Sequence, residues 1–185
     1  MKISASTQKI LHPLPPVWNS QSKVLILGTM PSPASRKSGF FYMHPQNRFW
    51  KVLPALFNES LTFPNDADDI EAAIKERKDF LLRHGLALWD VLAQCEIHGA
   101  ADSSIKNAVP NDFTEIFAHS KTRRVFCTGK TAFNLWQKHC AARYESFKIQ
   151  CDCIPSTSPA NAVWSLEKLV EAYKVIREPN QHQQT

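Results

Sequence analysis

Lys23-Val24-Leu25-Ile26-Leu27-Gly28-Thr29-Met30-Pro31-Ser32-Pro33 is the stretch that decides the fold. Val24 to Leu27 is apolar at every position, so a strand built from it presents an apolar side chain to both faces of a sheet. Central parallel strands, covered by helices on both sides, have this character. Gly28 breaks the run, and Pro31, Ser32 and Pro33 mark a loop. A buried strand that opens at its C-terminal end into a polar loop is where α/β sheets place their ligands.

The segments around it repeat the pattern. Downstream, Arg48 to Asn58 carries Phe49, Val52, Leu53, Leu56 and Phe57 at helical spacing, with Pro54 able to kink it. Asn65 to Asp69 supplies helix caps, and a helix is predicted from there to His84, stopped by Gly85. Leu86 to Val91 reads as a second strand, followed by a polar connection through Gly99 and Asp102-Ser103-Ser104. Asp112 caps a short helix over 113–119, Arg124 to Cys127 is a third strand, and a helix follows over 131–142. A fourth strand, 147–154, ends in Pro155-Ser156-Thr157-Ser158-Pro159-Ala160-Asn161, before a last helix over 163–177. Alternation of strands and helices predicts an α/β fold: a three-layer α/β/α sandwich around a short, mostly parallel four-stranded sheet. Upstream, Pro13, Pro15 and Pro16 resist helix formation, so residues 1–22 are expected to be an irregular arm. Residues 23–177 then form one domain, and 178–185 a polar tail.

Composition fits a single globular domain: 185 residues, 43% hydrophobic and 21% charged. No apolar run approaches a membrane span, and the first residues lack the apolar core of a signal peptide, so a cytoplasmic protein is expected. The net charge of +5 permits a polyanionic partner. Arg36, Lys37, Arg48 and Lys51 lie in or beside the opening loop, and no Asp or Glu occurs between Lys23 and Phe57. The five cysteines form no C-x-x-C pair, and free thiols in a reducing compartment, not a metal site, are expected.

The opening loop and the 155–161 loop both follow C-terminal strand ends. In a parallel sheet they emerge at the same edge and can face each other across one cleft. No dinucleotide-binding or P-loop glycine pattern is present; Gly129-Lys130-Thr131 lacks the preceding glycine of the latter. No G-x-S-x-G elbow occurs. The first loop instead sets His44, Gln46 and Asn47 among Phe40, Phe41, Tyr42, Phe49 and Trp50. An aromatic face can stack on a nucleobase while an Asn amide pairs with its polar edge. The second loop offers hydroxyls and backbone amides stiffened by two prolines, suited to gripping phosphates. Each residue also has a plain structural role open to it: Phe49 and Trp50 in the core, His44 as a hydrogen-bonded loop residue, Asn47 as a helix cap.

Gly28-Thr29-Met30-Pro31-Ser32 followed by Phe41-Tyr42-Met43-His44-Pro45-Gln46-Asn47-Arg48-Phe49-Trp50 resembles the first motif of the uracil-DNA glycosylase superfamily. Together with Leu88-Trp89-Asp90-Val91, Asp102-Ser103-Ser104-Ile105 and residues 155–161, it is most similar to the DNA-deoxyinosine (hypoxanthine-DNA) glycosylases. The resemblance implies a monofunctional, monomeric enzyme that flips a deaminated base out of DNA and hydrolyses its N-glycosidic bond, with no metal, cofactor or membrane. It implies hypoxanthine as the favoured base, with uracil or xanthine as further substrates. Asn47 becomes the catalytic residue, orienting the water or the departing base. Gly28, Thr29, Met30 and Pro31 form the pocket floor, Phe41 or Tyr42 stacks on the base, and His44 joins the pocket. Ser156, Thr157, Ser158, Pro159, Ala160 and Asn161 grip phosphates and fill the gap in the duplex, while Ser32, Arg36, Lys37 and Arg48 contact phosphates. One departure stands out: where some branches carry Asp or Asn two residues after the motif glycine, this chain has Met30. Water must then be handled by Asn47, by backbone groups or by a residue from another loop. That gap leaves open a non-catalytic binder of damaged DNA, and the pocket alone leaves open a hydrolase of free nucleosides or nucleotides.

Overall fold

A computed structural model describes residues 7–98 and 104–177 of the chain. Four strands form a parallel sheet: β2 (Val24–Gly28), β3 (Leu86–Asp90), β6 (Arg124–Thr128) and β7 (Gln150–Ile154), in the order β3-β2-β6-β7. As its sequence requires, β2 is hydrogen-bonded on both sides, to β3 and to β6. Its Leu25, Ile26 and Leu27 are completely buried, each contributing about 1.5–3 kcal/mol of apolar burial.

Alternate residues of the sheet serve opposite layers. Val24, Ile26, Leu86, Leu88 and Phe126 pack with α2 (Phe49–Ala55), α3 (Ile70–Arg83) and α6 (Leu166–Tyr173). Leu25, Leu27, Ala87, Val125 and Cys127 pack on the other face with α4 (Thr114–His119) and α5 (Lys130–His139). The fold is the α/β/α sandwich expected. The cap of α3 is where the sequence puts it, Asp69 accepting a hydrogen bond from the Ala72 amide (3.0 Å), whereas α4 starts one residue later than expected with Phe113 at its N-cap, and Asp112, one position before it, accepts from the Thr114 amide (3.0 Å).

Three segments of the chain differ from expectation. Thr7–Leu11, placed in an irregular arm, is a strand (β1), and Val17 bridges to Leu88 at the margin of the main sheet. β1 pairs antiparallel with β4 (Leu92–His98), which pairs in turn with β5 (Lys106–Pro110), so the expected polar connection contains a second, three-stranded sheet. Edge pairing of this kind needs only backbone groups, and the proline cluster that argued against a helix does not oppose it. Third, the opening loop contains a short helix, α1 (Pro33–Ser38), capped by Ser32. Gly99, Asp102, Ser103 and the 178–185 tail lie outside the described residues.

Candidate active site

The C-terminal ends of β2, β3, β6 and β7 converge on one cavity of about 480 Å³. The chain reverses here between buried layers, so main-chain and side-chain polar groups are exposed together at an apolar floor. Gly28, Thr29, Met30, Pro31, Ser32 and Arg36 line one side; Ser156, Ser158, Ala160 and Asn161 line the other. Phe41, Tyr42 and Asn47 reach it from the segment before α2. The two loops therefore do face each other across one cleft.

Thr157 links them. Its hydroxyl donates to Asn47 Oδ1 (2.9 Å), and its carbonyl accepts from the Arg48 amide (3.2 Å). The Phe49 amide also donates to Asn47 Oδ1 (3.0 Å). A backbone N–H can only donate, so this contact fixes which end of the Asn47 amide is oxygen. With Oδ1 holding two donors, the group Asn47 has left to offer the cavity is its Nδ2–H. Asn47, one position before the N-cap of α2, is thus an acceptor that ties the start of the helix to the second loop and a cavity-facing donor at once, not a base.

Tyr42 stands beside it in the left-handed region (φ 57°), a conformation that costs a bulky residue about 1–3 kcal/mol and persists only where surroundings impose it. Its ring stacks on Phe49 (3.9 Å, 9°). Its hydroxyl donates to Thr128 Oγ1 (2.9 Å), because the Thr128 proton is committed to the Leu27 carbonyl (3.2 Å). Burial, and then the nearby Asp90 charge, hold the phenol well above its ordinary pKa, so it stays neutral. Phe41 lines the cavity but is 2% exposed, packed edge-on against Phe40, which leaves Tyr42 as the aromatic plane at hand.

Sequence reasoning missed the residue that faces Tyr42. Asp90, the last residue of β3, is 4% exposed and lines the cavity. His12, on the arm, lies against it with Nε2 2.8 Å from Asp90 Oδ2. The Leu14 amide donates to His12 Nδ1 (3.2 Å), so the imidazole carries its proton on Nε2 and donates it to the carboxylate. Oδ1 is left over Gly28: a Cβ built there would lie 2.2 Å from it and 2.9 Å from the Tyr42 hydroxyl. Gly28 is therefore needed for close approach. Burial raises the Asp90 pKa, partly offset by the hydrogen bond and charge of His12. Asp90 stands inside the Leu88-Trp89-Asp90-Val91 motif, which was the available signal, but nothing in sequence pairs it with a histidine 78 positions away.

Other expected site residues lie elsewhere. His44 does not line the cavity; its ring accepts from the Gln46 amide (3.2 Å) in a turn. Lys37 is exposed in the last turn of α1 and outside the cavity lining, and so is Pro159. Arg48 is not open to a phosphate. Its guanidinium donates to the carbonyls of Ser158 (2.8 Å), Asn161 (3.0 Å) and Trp164, and its Nε to that of Thr157 (3.4 Å). It is the clamp that shapes the second loop. Arg48→Met is expected to lower Tm by roughly 5–10 °C, since hydrogen bonds to a charged group are each worth about 1.5–3 kcal/mol. Amide exchange over 156–164 should rise selectively; a Tm and exchange pattern like the wild type's would show that the clamp is idle.

Among the described residues, no group of three or more His, Cys, Asp or Glu is placed to hold a metal ion, and no helix is long and apolar enough to cross a membrane.

The family model described as the uracil DNA glycosylase superfamily matches residues 15–181. A hypoxanthine DNA glycosylase of Methanosarcina barkeri is 33% identical over 100 residues, 54% of this chain and 58% of that protein, so the match spans little more than half its length. One of Methanosarcina acetivorans is 27% identical over 164 residues, 88% of this chain and 96% of that one. A solution NMR structure of a candidate uracil DNA glycosylase from M. acetivorans shares the fold, with a TM-score of 0.67 at 22% identity, covering 92% of this chain and all of that one.

Proposed function

The chain belongs to the uracil DNA glycosylase superfamily, and we propose that it is a monofunctional DNA glycosylase that excises deaminated bases, hypoxanthine first. The observation that carries this reading is Asp90 Oδ1, an acceptor held over Gly28 inside the cavity. Deamination changes one feature common to adenine and cytosine: a ring nitrogen that offered a lone pair becomes a lactam N–H beside a carbonyl. A carboxylate accepts from the lactam N–H of hypoxanthine, uracil or xanthine. Against adenine or cytosine it would set lone pair against lone pair, leaving a buried acceptor unpaired. His12 turns Oδ1 toward the base by holding Oδ2. Tyr42, backed by Phe49, supplies the stacking plane.

Cleavage follows from the other edge of the pocket. Without a strong base on the opening loop, the bond to the sugar breaks through a loose, oxocarbenium-like state, and the departing base gathers negative charge. On this reading the Asn47 Nδ2–H donates to that charge. Water then adds to the sugar cation and its proton passes to the departed base or to solvent, a route that needs no carboxylate at Met30; Asp90, the carboxylate that lines the cavity, is engaged by the base.

The test is duplex DNA carrying deoxyinosine, deoxyuridine or an undamaged control, scored for abasic sites. Excision of hypoxanthine is expected, with uracil slower and adenine and cytosine spared. If both lesions stay intact while a control enzyme cleaves them, the reading fails; turnover of free deoxyinosine without preference for DNA would select a nucleoside hydrolase.

Opening the duplex needs something to occupy the vacated space. Residues 156–161 are expected to fill it, yet the large apolar side chain most open to solvent there is Val163, 84% exposed, two positions past Asn161. Val163→Ala is expected to slow excision of base-paired hypoxanthine about tenfold, roughly 1.4 kcal/mol. Excision from single strands should be unchanged, since no pair must be held open; an equal loss on both substrates would assign Val163 another role.

A further inference from the structure

We propose that Asn65 and Arg77 are positioning residues that set the active-site segment from behind, an inference that rests on the glycosylase reading above. Asn65 lies just ahead of α3, outside the cavity. Its Nδ2 donates to three carbonyls of that segment: Tyr42 (3.3 Å), His44 (2.9 Å) and Asn47 (3.2 Å). One amide thus holds the backbone of both residues that face the base. The segment would not keep this geometry unaided: Tyr42 is in the left-handed region, and residues 39 to 48 belong to no helix or strand that could fix them.

Arg77 fixes Asn65 in turn. Its Nη2 donates to Asn65 Oδ1 (3.0 Å), which forces the amide nitrogen toward the carbonyls, and to the Phe63 carbonyl (3.0 Å). Arg77 is completely buried, makes no salt bridge among the described residues, and leaves its Nε without a hydrogen-bond partner. Burying a guanidinium without a counter-ion is costly. An aspartate at position 65, one atom-type away, would supply that counter-ion. The amide is explained by what a carboxylate cannot do: donate to three carbonyls.

Asn65→Asp therefore separates the two roles. It gives Arg77 an ion-pair partner, so Tm should hold or rise. It turns the donor toward the segment into a repelling acceptor, so the single-turnover excision rate at saturating enzyme should fall about 30-fold, in the range a displacement of reacting groups produces. Affinity for duplex DNA carrying a tetrahydrofuran abasic analogue should stay within about threefold, because phosphate contacts carry most of it. Amide exchange over 39–48 should quicken while the sheet is unchanged. Because Asn65 acts through Asn47 and Tyr42, adding Asn65→Asp to Asn47→Asp should cost much less than it does alone. Wild-type rate with wild-type exchange in Asn65→Asp would overturn the proposal, as would a full 30-fold loss in the Asn47→Asp background. If the unmodified chain excises no lesion, the glycosylase reading fails, and the exchange result alone decides whether Asn65 holds the segment.

Discussion

Asn47→Asp excises hypoxanthine about 100- to 1,000-fold more slowly than the wild type, the loss expected when one preorganised donor to a developing charge is removed. The substitution is chosen over alanine for a structural reason. Asn47 Oδ1 accepts from the Phe49 amide and the Thr157 hydroxyl. Alanine would leave both donors unpaired and would loosen the contact between the two loops, mixing a chemical effect with a structural one. Aspartate keeps an acceptor for both and replaces the Nδ2–H that faces the cavity with a charged oxygen, which repels the charge the donor would stabilise. The Tm should therefore change little, and binding to an abasic analogue should persist while the single-turnover rate collapses. A variant that retains the wild-type rate would remove Asn47 from the chemistry while leaving the glycosylase reading intact.

The frame of this site was legible because it depends on local pattern. Val24–Leu27 had no polar face to give to solvent, which forced a central strand, and a central parallel strand ending in Gly28 forced a cleft at that edge. The same logic brought the 155–161 loop to the cleft. The electrostatics were not legible, because they depend on partners far apart in the chain. His12 and Asp90 are 78 positions apart, and the strand that delivers His12, Thr7–Leu11, pairs through backbone groups that leave almost no mark on side-chain choice. Arg48 illustrates the limit from the other side. A cation in a basic, aromatic loop reads as a phosphate contact, yet the carbonyls of the second loop took it, since their uncapped oxygens converge within reach of one guanidinium. Asn65 and Arg77 gave no signal either: Asn65 reads as one of the helix caps before α3, and nothing local marks an arginine that will be buried against it.

Asp90→Asn carries the second large effect, and it reads specificity, pH dependence and stability together. The variant can still accept from His12 through Oδ1, which turns Nδ2 toward Gly28 and the base. A donor then meets the lactam N–H of hypoxanthine, so excision should fall about 100-fold, as sites built to hydrogen-bond one partner lose its mismatch. The disadvantage of adenine, whose ring nitrogen accepts, should shrink. In the wild type the reading group is the ionised carboxylate. Its pKa is raised by burial, more than His12 lowers it. The excision rate should therefore rise with pH through a limb centred above the ordinary carboxylate range, and that limb should vanish in Asp90→Asn. The stability effect has the opposite sign. Between the unfolded and the raised folded pKa, the folded chain binds more protons than the unfolded one, so stability falls as pH rises through that window. Above it the buried charge is a standing cost that asparagine removes. At neutral pH the variant should then melt at or above the wild-type Tm, with the difference closing as pH drops below the ordinary carboxylate range. A variant both slower and more stable marks a residue kept for function at the expense of the fold. If hypoxanthine excision and its acid limb both survive the substitution, Asp90 does not read the base, and the preference must be set by the Tyr42 and Asn47 side of the pocket alone.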